Sequence, residues 1–157
     1  MTRYYTADNY RAMFKDQYVA YLWDSYRRLQ KLIPSNVKTI LSIGCGTGEI
    51  EEIMPYDFTL YDPYGPVVEY RRKPTGQYDY AIAHGCVLSA AKPDEKKDVV
   101  ELGLSHAPTF LIHTGYKNLS HSDECMTYYE WNENVLLNDY KWKKVNKSYI
   151  EVYRDSR

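Results

Sequence analysis

The chain has 157 residues, 44% of them hydrophobic and 15% aromatic, which excludes a disordered protein and suits a single domain with one core. Lysine and arginine number 20 against 21 aspartates and glutamates, so the formal net charge of −1 provides no overall attraction to nucleic acid or to an anionic membrane. The sequence shows neither a long apolar run nor a signal-peptide core, and its three cysteines form no close pair; we therefore expect a cytoplasmic protein with reduced thiols and no membrane association.

The first predicted element is a helix. Apolar residues recur near helical spacing from Tyr10 to Ile33, and basic residues in the last turns suit the helix dipole. Pro34 ends the pattern.

A buried strand comes next and runs directly into a glycine-rich turn. Residues Ile40 to Ile43 are mostly apolar and β-branched, as in a central parallel strand covered on both faces. Gly44, Gly46 and Gly48 follow at alternate positions. Because glycine has no Cβ, such a turn can bend sharply and can approach a ligand closely.

An acid follows the second predicted strand. This strand, Phe58 to Tyr61, ends at Asp62, which stands 18 residues after Gly44. The carboxyl ends of adjacent parallel strands share a crevice, and an acid about 20 residues beyond the glycines can accept hydrogen bonds from a ribose there. The sequence therefore predicts a nucleoside site at this end of a sheet.

The glycine spacing distinguishes between two kinds of nucleoside ligand. A dinucleotide site has the pattern G-x-G-x-x-G, whereas this chain has G-x-G-x-G and carries Glu49 where the last dinucleotide glycine would stand. A carboxylate at that helix start would repel a diphosphate. The segment Gly44-Cys45-Gly46-Thr47-Gly48 instead resembles motif I of the class I S-adenosylmethionine-dependent methyltransferases.

The resemblance implies an α/β fold, a three-layer sandwich with a mainly parallel central sheet of about six or seven strands. We expect one domain over residues 1–157, with a helical lid at 1–36 and a Rossmann-like core at 37–157. Tyr4, Tyr5 and Tyr10 could belong to the lid, although ordinary packing of an N-terminal segment explains them better. Its cofactor would be S-adenosylmethionine. The expected cofactor-binding residues are Ser42, Gly44, Cys45, Gly46, Gly48, Asp62, Pro63, His84 and Gly85.

A further predicted strand, Tyr78 to Ala83, ends at His84 and Gly85. In the resembled family this strand end lies beside the methionine half of the cofactor. His84 is therefore the predicted catalytic base for an acceptor that carries a proton, ahead of His113 and Tyr116. A structural or cofactor-contacting role for His84 is the alternative.

Two features depart from the family pattern. Ser42 stands where family members usually carry an acid that helps to hold the methionine amino group, and a hydroxyl brings no charge. The interval from Pro63 to Gln77 is too short for a helix, a strand and a loop, so we expect an abbreviated third strand or a missing helix.

The rest of the chain completes the predicted alternation of strands and helices. We expect a helix at Asp94 to Leu104, a buried strand at Thr109 to His113 and partial helix within Tyr128 to Leu137. Two strands joined by a short turn, Trp142 to Val145 and Tyr149 to Tyr153, resemble the antiparallel closing strands of the family.

The expected activity is methyl transfer to an acceptor that the sequence does not identify. Small molecules are favoured because the chain is short, although the basic C-terminal residues and tyrosines leave nucleic acid open. No zinc spacing is present, so no metal is predicted. The oligomeric state is not predicted. Two alternatives remain: a non-catalytic cofactor-binding or interaction protein on a degenerate form of the same fold, and, less favoured, a dinucleotide oxidoreductase.

Overall fold

The computed structural model describes residues 18–85, 87–118, 120 and 127–154, and Tyr4, Tyr5 and Tyr10 lie outside this part of the chain. The described residues form six strands, five α-helices and one 3₁₀ turn. In chain order these are α1 (Tyr18–Leu32), β1 (Thr39–Ile43), α2 (Glu49–Ile53), β2 (Asp57–Tyr61), the 3₁₀ turn (Val68–Arg71), β3 (Tyr80–Ala83), α3 (Val87–Ala90), α4 (Lys96–His106), β4 (Thr109–His113), α5 (Glu133–Leu136), β5 (Lys141–Lys144) and β6 (Tyr149–Tyr153).

The six strands form one sheet in the order β2-β1-β3-β4-β6-β5. β1 pairs in parallel with both β2 and β3, and β4 extends the parallel part from β3. β6 then pairs antiparallel with β4, and β5 pairs antiparallel with β6. The prediction of a mainly parallel α/β sheet with an antiparallel closing pair is confirmed.

Both faces of the sheet carry a hydrophobic core, because successive residues of a strand point to opposite faces. On one face, Ile40 and Ile82 pack with residues from the two N-terminal helices. On the other face, Leu41 and Phe110 pack against α4. The helices thus form the two outer layers of a three-layer sandwich.

The chain between β2 and β3 contains no strand. Residues 62–79 are all described, and their only regular element is the 3₁₀ turn. The Asp62 N–H donates to the Tyr70 carbonyl at 2.7 Å, which ties this turn to the end of β2. The middle region is abbreviated as expected, but the third strand of the family pattern is absent rather than shortened, and no α-helix takes its place.

Several element boundaries differ slightly from the sequence prediction, and at the start of β3 the reason is that other hydrogen bonds use the backbone. β3 begins at Tyr80, since the Tyr78 N–H donates to the His106 carbonyl at 2.7 Å and the Asp79 N–H donates to the Thr39 hydroxyl at 2.9 Å. Of the region predicted to be partly helical, only Glu133–Leu136 is helical. Within the described residues, no helix is both long and apolar enough to span a membrane.

We predict that Gly103→Ala destabilises the protein. Alanine in a helix normally stabilises relative to glycine by about 0.5–1 kcal/mol. At Gly103, however, a Cβ would lie 2.2 Å from Cδ2 of the buried Phe110 ring, and overpacking a core costs about 1–3 kcal/mol. Urea unfolding should show a net loss of about 1–2 kcal/mol, whereas the exposed Ser105→Ala control on the same helix should change stability by less than about 0.5 kcal/mol. A gain in stability for Gly103→Ala would contradict the packing.

Candidate functional site

The loop after β1 is built from glycines in the left-handed backbone region. The φ angles of Gly44, Gly46 and Gly48 are 72°, 62° and 76°. At Gly44, a Cβ would also lie 2.3 Å from Cγ2 of Val87, so neither the conformation nor the space admits a side chain. The Gly44 N–H donates to the Tyr61 carbonyl at 2.7 Å, which joins the loop to the end of β2.

Asp62 contacts this loop directly. Its carboxylate is buried, and Oδ2 accepts from the Gly46 N–H at 3.0 Å while Oδ1 accepts from the Tyr64 N–H at 3.3 Å. The predicted acid and the predicted glycine loop therefore lie side by side at the carboxyl ends of β1 and β2. Asp62 also stabilises the loop conformation, a role that the sequence analysis did not foresee.

A second carboxylate lies beneath the loop and forms a buried cluster with two predicted site residues. Glu51 Oε1 accepts from the Ser42 hydroxyl at 2.8 Å and lies 2.7 Å from His84 Nε2. The side chains of His84 and Glu51 are only 3% and 2% exposed. Glu51 Oε2 and His84 Nδ1 are buried and have no hydrogen-bond partner in the part of the chain that the structure describes.

The sequence analysis did not identify Glu51, although its position on the apolar side of its helix could have indicated it. In the short helix α2, Ile50 and Glu51 are buried while Ile53 is 38% exposed. Ile50 and Met54 define the buried side, and Glu51 stands three residues before Met54, on that side. A glutamate on the apolar side of a helix needs polar partners, which Ser42 and His84 supply.

Both carboxylates affect the thiol of Cys45 in this loop. Burial raises the pKa of the Cys45 thiol well above its ordinary value, and the negative charges of Glu51 and Asp62 raise it further. Cys45 is therefore a neutral thiol rather than a nucleophile.

His113, at the end of β4, is neutral. Burial, together with the positive charge of Arg28 and the neighbouring His84, lowers the pKa of His113 to about 4. Its Nδ1 accepts from the Gly115 N–H at 3.3 Å, so the ring proton is on Nε2. The ring packs edge-on against Tyr149 and lies near Tyr116, with centroid distances of 5.0 and 5.4 Å.

The remaining predicted residues take different positions. Pro63 begins the turn after Asp62, and Gly85 lies next to His84, where no described atom comes within 4 Å of the place of a Cβ. The basic residues near the C-terminus line a groove of about 680 Å³ with Trp142 and Tyr153. That groove lies beside Thr109, at the amino end of β4 and so at the opposite end of the parallel strands from the glycine loop. The described residues contain no group of three or more metal-ligating side chains.

The fold is that of the class I S-adenosylmethionine-dependent methyltransferases, as the resemblance implied. One similar structure is a TehB-like S-adenosylmethionine-dependent methyltransferase from Corynebacterium glutamicum, with a TM-score of 0.63, 14% identity and coverage of 94% of this chain and 95% of that one. Another is the magnesium protoporphyrin IX methyltransferase from Synechocystis with bound S-adenosylhomocysteine, with a TM-score of 0.59, 14% identity and coverage of 94% of each chain.

A third similar structure is an S-adenosylmethionine-dependent methyltransferase from Aquifex aeolicus, with a TM-score of 0.56, 13% identity and coverage of 95% and 97% of the two chains. No family model and no curated protein sequence matches the chain. The likeness therefore resides in the architecture rather than in the sequence.

We predict that His113 makes the protein less stable in mild acid. Because its pKa is about 4 in the folded state against about 6.5 for an ordinary histidine, the unfolded chain binds the additional proton, and stability falls as the pH drops through this interval. The melting temperature of His113→Phe should fall less than that of the unaltered protein between about pH 7 and about pH 4.5. Equal losses in the two proteins would show that His113 is not held neutral.

Proposed function

We propose that the protein is an S-adenosylmethionine-dependent methyltransferase. The observation that carries this proposal is the contact between the Gly46 N–H and the Asp62 carboxylate, which unites a positive-φ glycine loop with an acid at the end of the neighbouring strand. In a parallel sheet this edge is where nucleoside ligands bind. Similar folds have been solved with S-adenosylhomocysteine or S-adenosylmethionine bound.

In this proposal the loop and the two strand ends contact different parts of the cofactor. Gly44, Cys45, Gly46 and Gly48 supply backbone that approaches the ligand, and Asp62 accepts hydrogen bonds from the ribose. Pro63 and Gly85 form neighbouring walls. The open space beside Gly85 and its position next to His84 support a ligand at the end of β3.

Methyl transfer from a sulfonium is an in-line displacement with a good leaving group, so the protein mainly positions the acceptor and excludes water. His84 is the proposed base where the acceptor carries a proton. Its Nε2 is engaged by Glu51, which leaves Nδ1 as the nitrogen that accepts the proton. An orienting carboxylate on one ring nitrogen with the other nitrogen acting as base is a recurrent catalytic arrangement.

A small molecule is the favoured acceptor. Among similar folds are enzymes named for a porphyrin, an amino pentose and didemethyltoxoflavin, and also a small RNA methyltransferase. In this chain the basic groove lies at the opposite end of the parallel strands from the proposed cofactor, which argues against a nucleic acid held there while it is methylated.

A non-catalytic cofactor-binding or interaction protein is the second candidate. The observation in its favour is the missing third strand, because residues 62–79 contribute only a 3₁₀ turn beside the proposed adenosine site. Binding followed by a test for methyl transfer separates this candidate from the enzyme, since both could bind the cofactor.

We predict that S-adenosylmethionine and S-adenosylhomocysteine both bind with affinities in the micromolar range. Asp62→Asn should weaken both by at least about 1 kcal/mol, or about fivefold, because it removes charge-assisted hydrogen bonds to the ribose and disturbs the Gly46 contact. The matched control is Asp57→Asn at the exposed start of the same strand, which should change neither affinity. Calorimetric titration gives both values.

Failure of both ligands to bind would refute the methyltransferase proposal and favour the interaction protein. Tight binding of NAD in place of these ligands would instead favour an oxidoreductase. Unchanged affinity in Asp62→Asn would remove Asp62 from the site while leaving the cofactor assignment intact.

A further inference from the structure

Glu51 is a buried acid with one carboxylate oxygen hydrogen-bonded and the other without a partner among the described residues. Oε1 has two polar partners, Ser42 and His84, whereas Oε2 has none among the described residues. A buried carboxylate oxygen that receives no hydrogen bond is costly, and buried polar atoms are nearly always paired in a folded protein. The unpaired oxygen therefore points to a hydrogen-bond donor supplied by a ligand.

Both partners of Oε1 can donate a hydrogen bond to it. The Ser42 hydroxyl donates to Oε1, and His84 can donate to the same atom from Nε2. An oxygen that accepts from two donors is best served by the ionised carboxylate. Ser42 lies on β1 and is paired with Ile82, two residues before His84, so two adjacent strands hold the carboxylate in place.

The position of Glu51 relative to Asp62 selects the donor. Asp62 accepts from the Gly46 N–H within the loop, whereas Glu51 accepts from the Ser42 hydroxyl two residues before Gly44, so the two acids contact the chain at different points of the site. In the proposed function Asp62 accepts hydrogen bonds from the ribose. The cofactor has two cationic groups, the sulfonium and the ammonium of its amino-acid chain. Only the ammonium carries hydrogens that it can donate to a carboxylate.

We propose that Oε2 of Glu51 binds the ammonium group of the cofactor's amino-acid chain, and that Ser42 and His84 are positioning residues that hold the carboxylate for this contact. The inference rests on the proposed function and adds a specificity to it. The site then requires adenosyl ligands that carry an amino-acid chain and binds those without one weakly. Glu51 on α2 then supplies the negative charge that Ser42 on β1 does not carry.

Two ligands that share the adenosine and the thioether test this assignment. S-adenosylhomocysteine carries the amino-acid chain, and methylthioadenosine has a methyl group in its place. The unaltered protein should bind S-adenosylhomocysteine at least about tenfold more tightly, because a charge-assisted hydrogen bond contributes about 1.5–3 kcal/mol. Glu51→Gln should weaken S-adenosylhomocysteine by at least about tenfold and leave methylthioadenosine unchanged.

The control variants separate this contact from a general effect on the site. Glu52→Gln alters the next residue, which is exposed, and should change neither affinity. Asp62→Asn should weaken both ligands by the same factor, since both carry the ribose. Ser42→Ala should weaken S-adenosylhomocysteine alone and by less than Glu51→Gln, because it loosens the carboxylate without removing its charge.

Three outcomes overturn the assignment. The first is equal binding of the two ligands by the unaltered protein, which requires no variant. The second is an equal loss for both ligands in Glu51→Gln, the result expected if Glu51 only supports the structure. The third is an unchanged preference in Glu51→Gln or, should that variant fail to fold, in Glu51→Asp, whose shorter side chain withdraws the carboxylate. If neither ligand binds the unaltered protein, the proposed function itself fails.

Discussion

The hydrogen bond from the Gly46 N–H to the Asp62 carboxylate joins the loop after β1 to the end of β2. A second bond, from the Gly44 N–H to the Tyr61 carbonyl, supports the same junction. Glycine loses much conformational freedom on folding, so a loop that contains three glycines with positive φ is costly to order, and these bonds offset part of that cost. The geometry of the site, and the burial of Glu51 beneath it, depend on this junction.

The part of the site that the sequence predicts is the part governed by local rules. A β-branched strand, glycines at alternate positions and an acid after the next strand suffice to place Gly46 near Asp62, because parallel pairing aligns the carboxyl ends of strands. Glu51 escaped prediction because its burial results from a meeting of three elements, β1, α2 and β3. Its contacts with Ser42 and His84 span 9 and 33 residues of sequence.

In the fold, too, the features set by local sequence pattern were predicted and those set by tertiary contacts were not. The short interval after Asp62 indicated an abbreviated strand or a missing helix, but its length could not show that both the strand and the α-helix are absent. The structure retains a 3₁₀ turn, and its Tyr70 carbonyl accepts a hydrogen bond from the Asp62 N–H at the end of β2. Hydrophobic periodicity in the sequence does not predict this hydrogen bond. Strand β3 likewise begins late because Tyr78 and Asp79 hydrogen-bond to other elements.

The order of the sheet leaves β2 and β5 as its two outermost strands. An outermost strand presents a row of backbone donors and acceptors to which a second molecule could add a strand, and this is a common route to aggregation. β5 has the sequence Lys-Trp-Lys-Lys, with all three lysines exposed, so approach of another strand would bring like charges together. β2 has only five residues and begins at the exposed Asp57, with the 3₁₀ turn linked to its end. The loss of the third strand thus shortens the chain without leaving a long, flat edge strand to which a second molecule could pair.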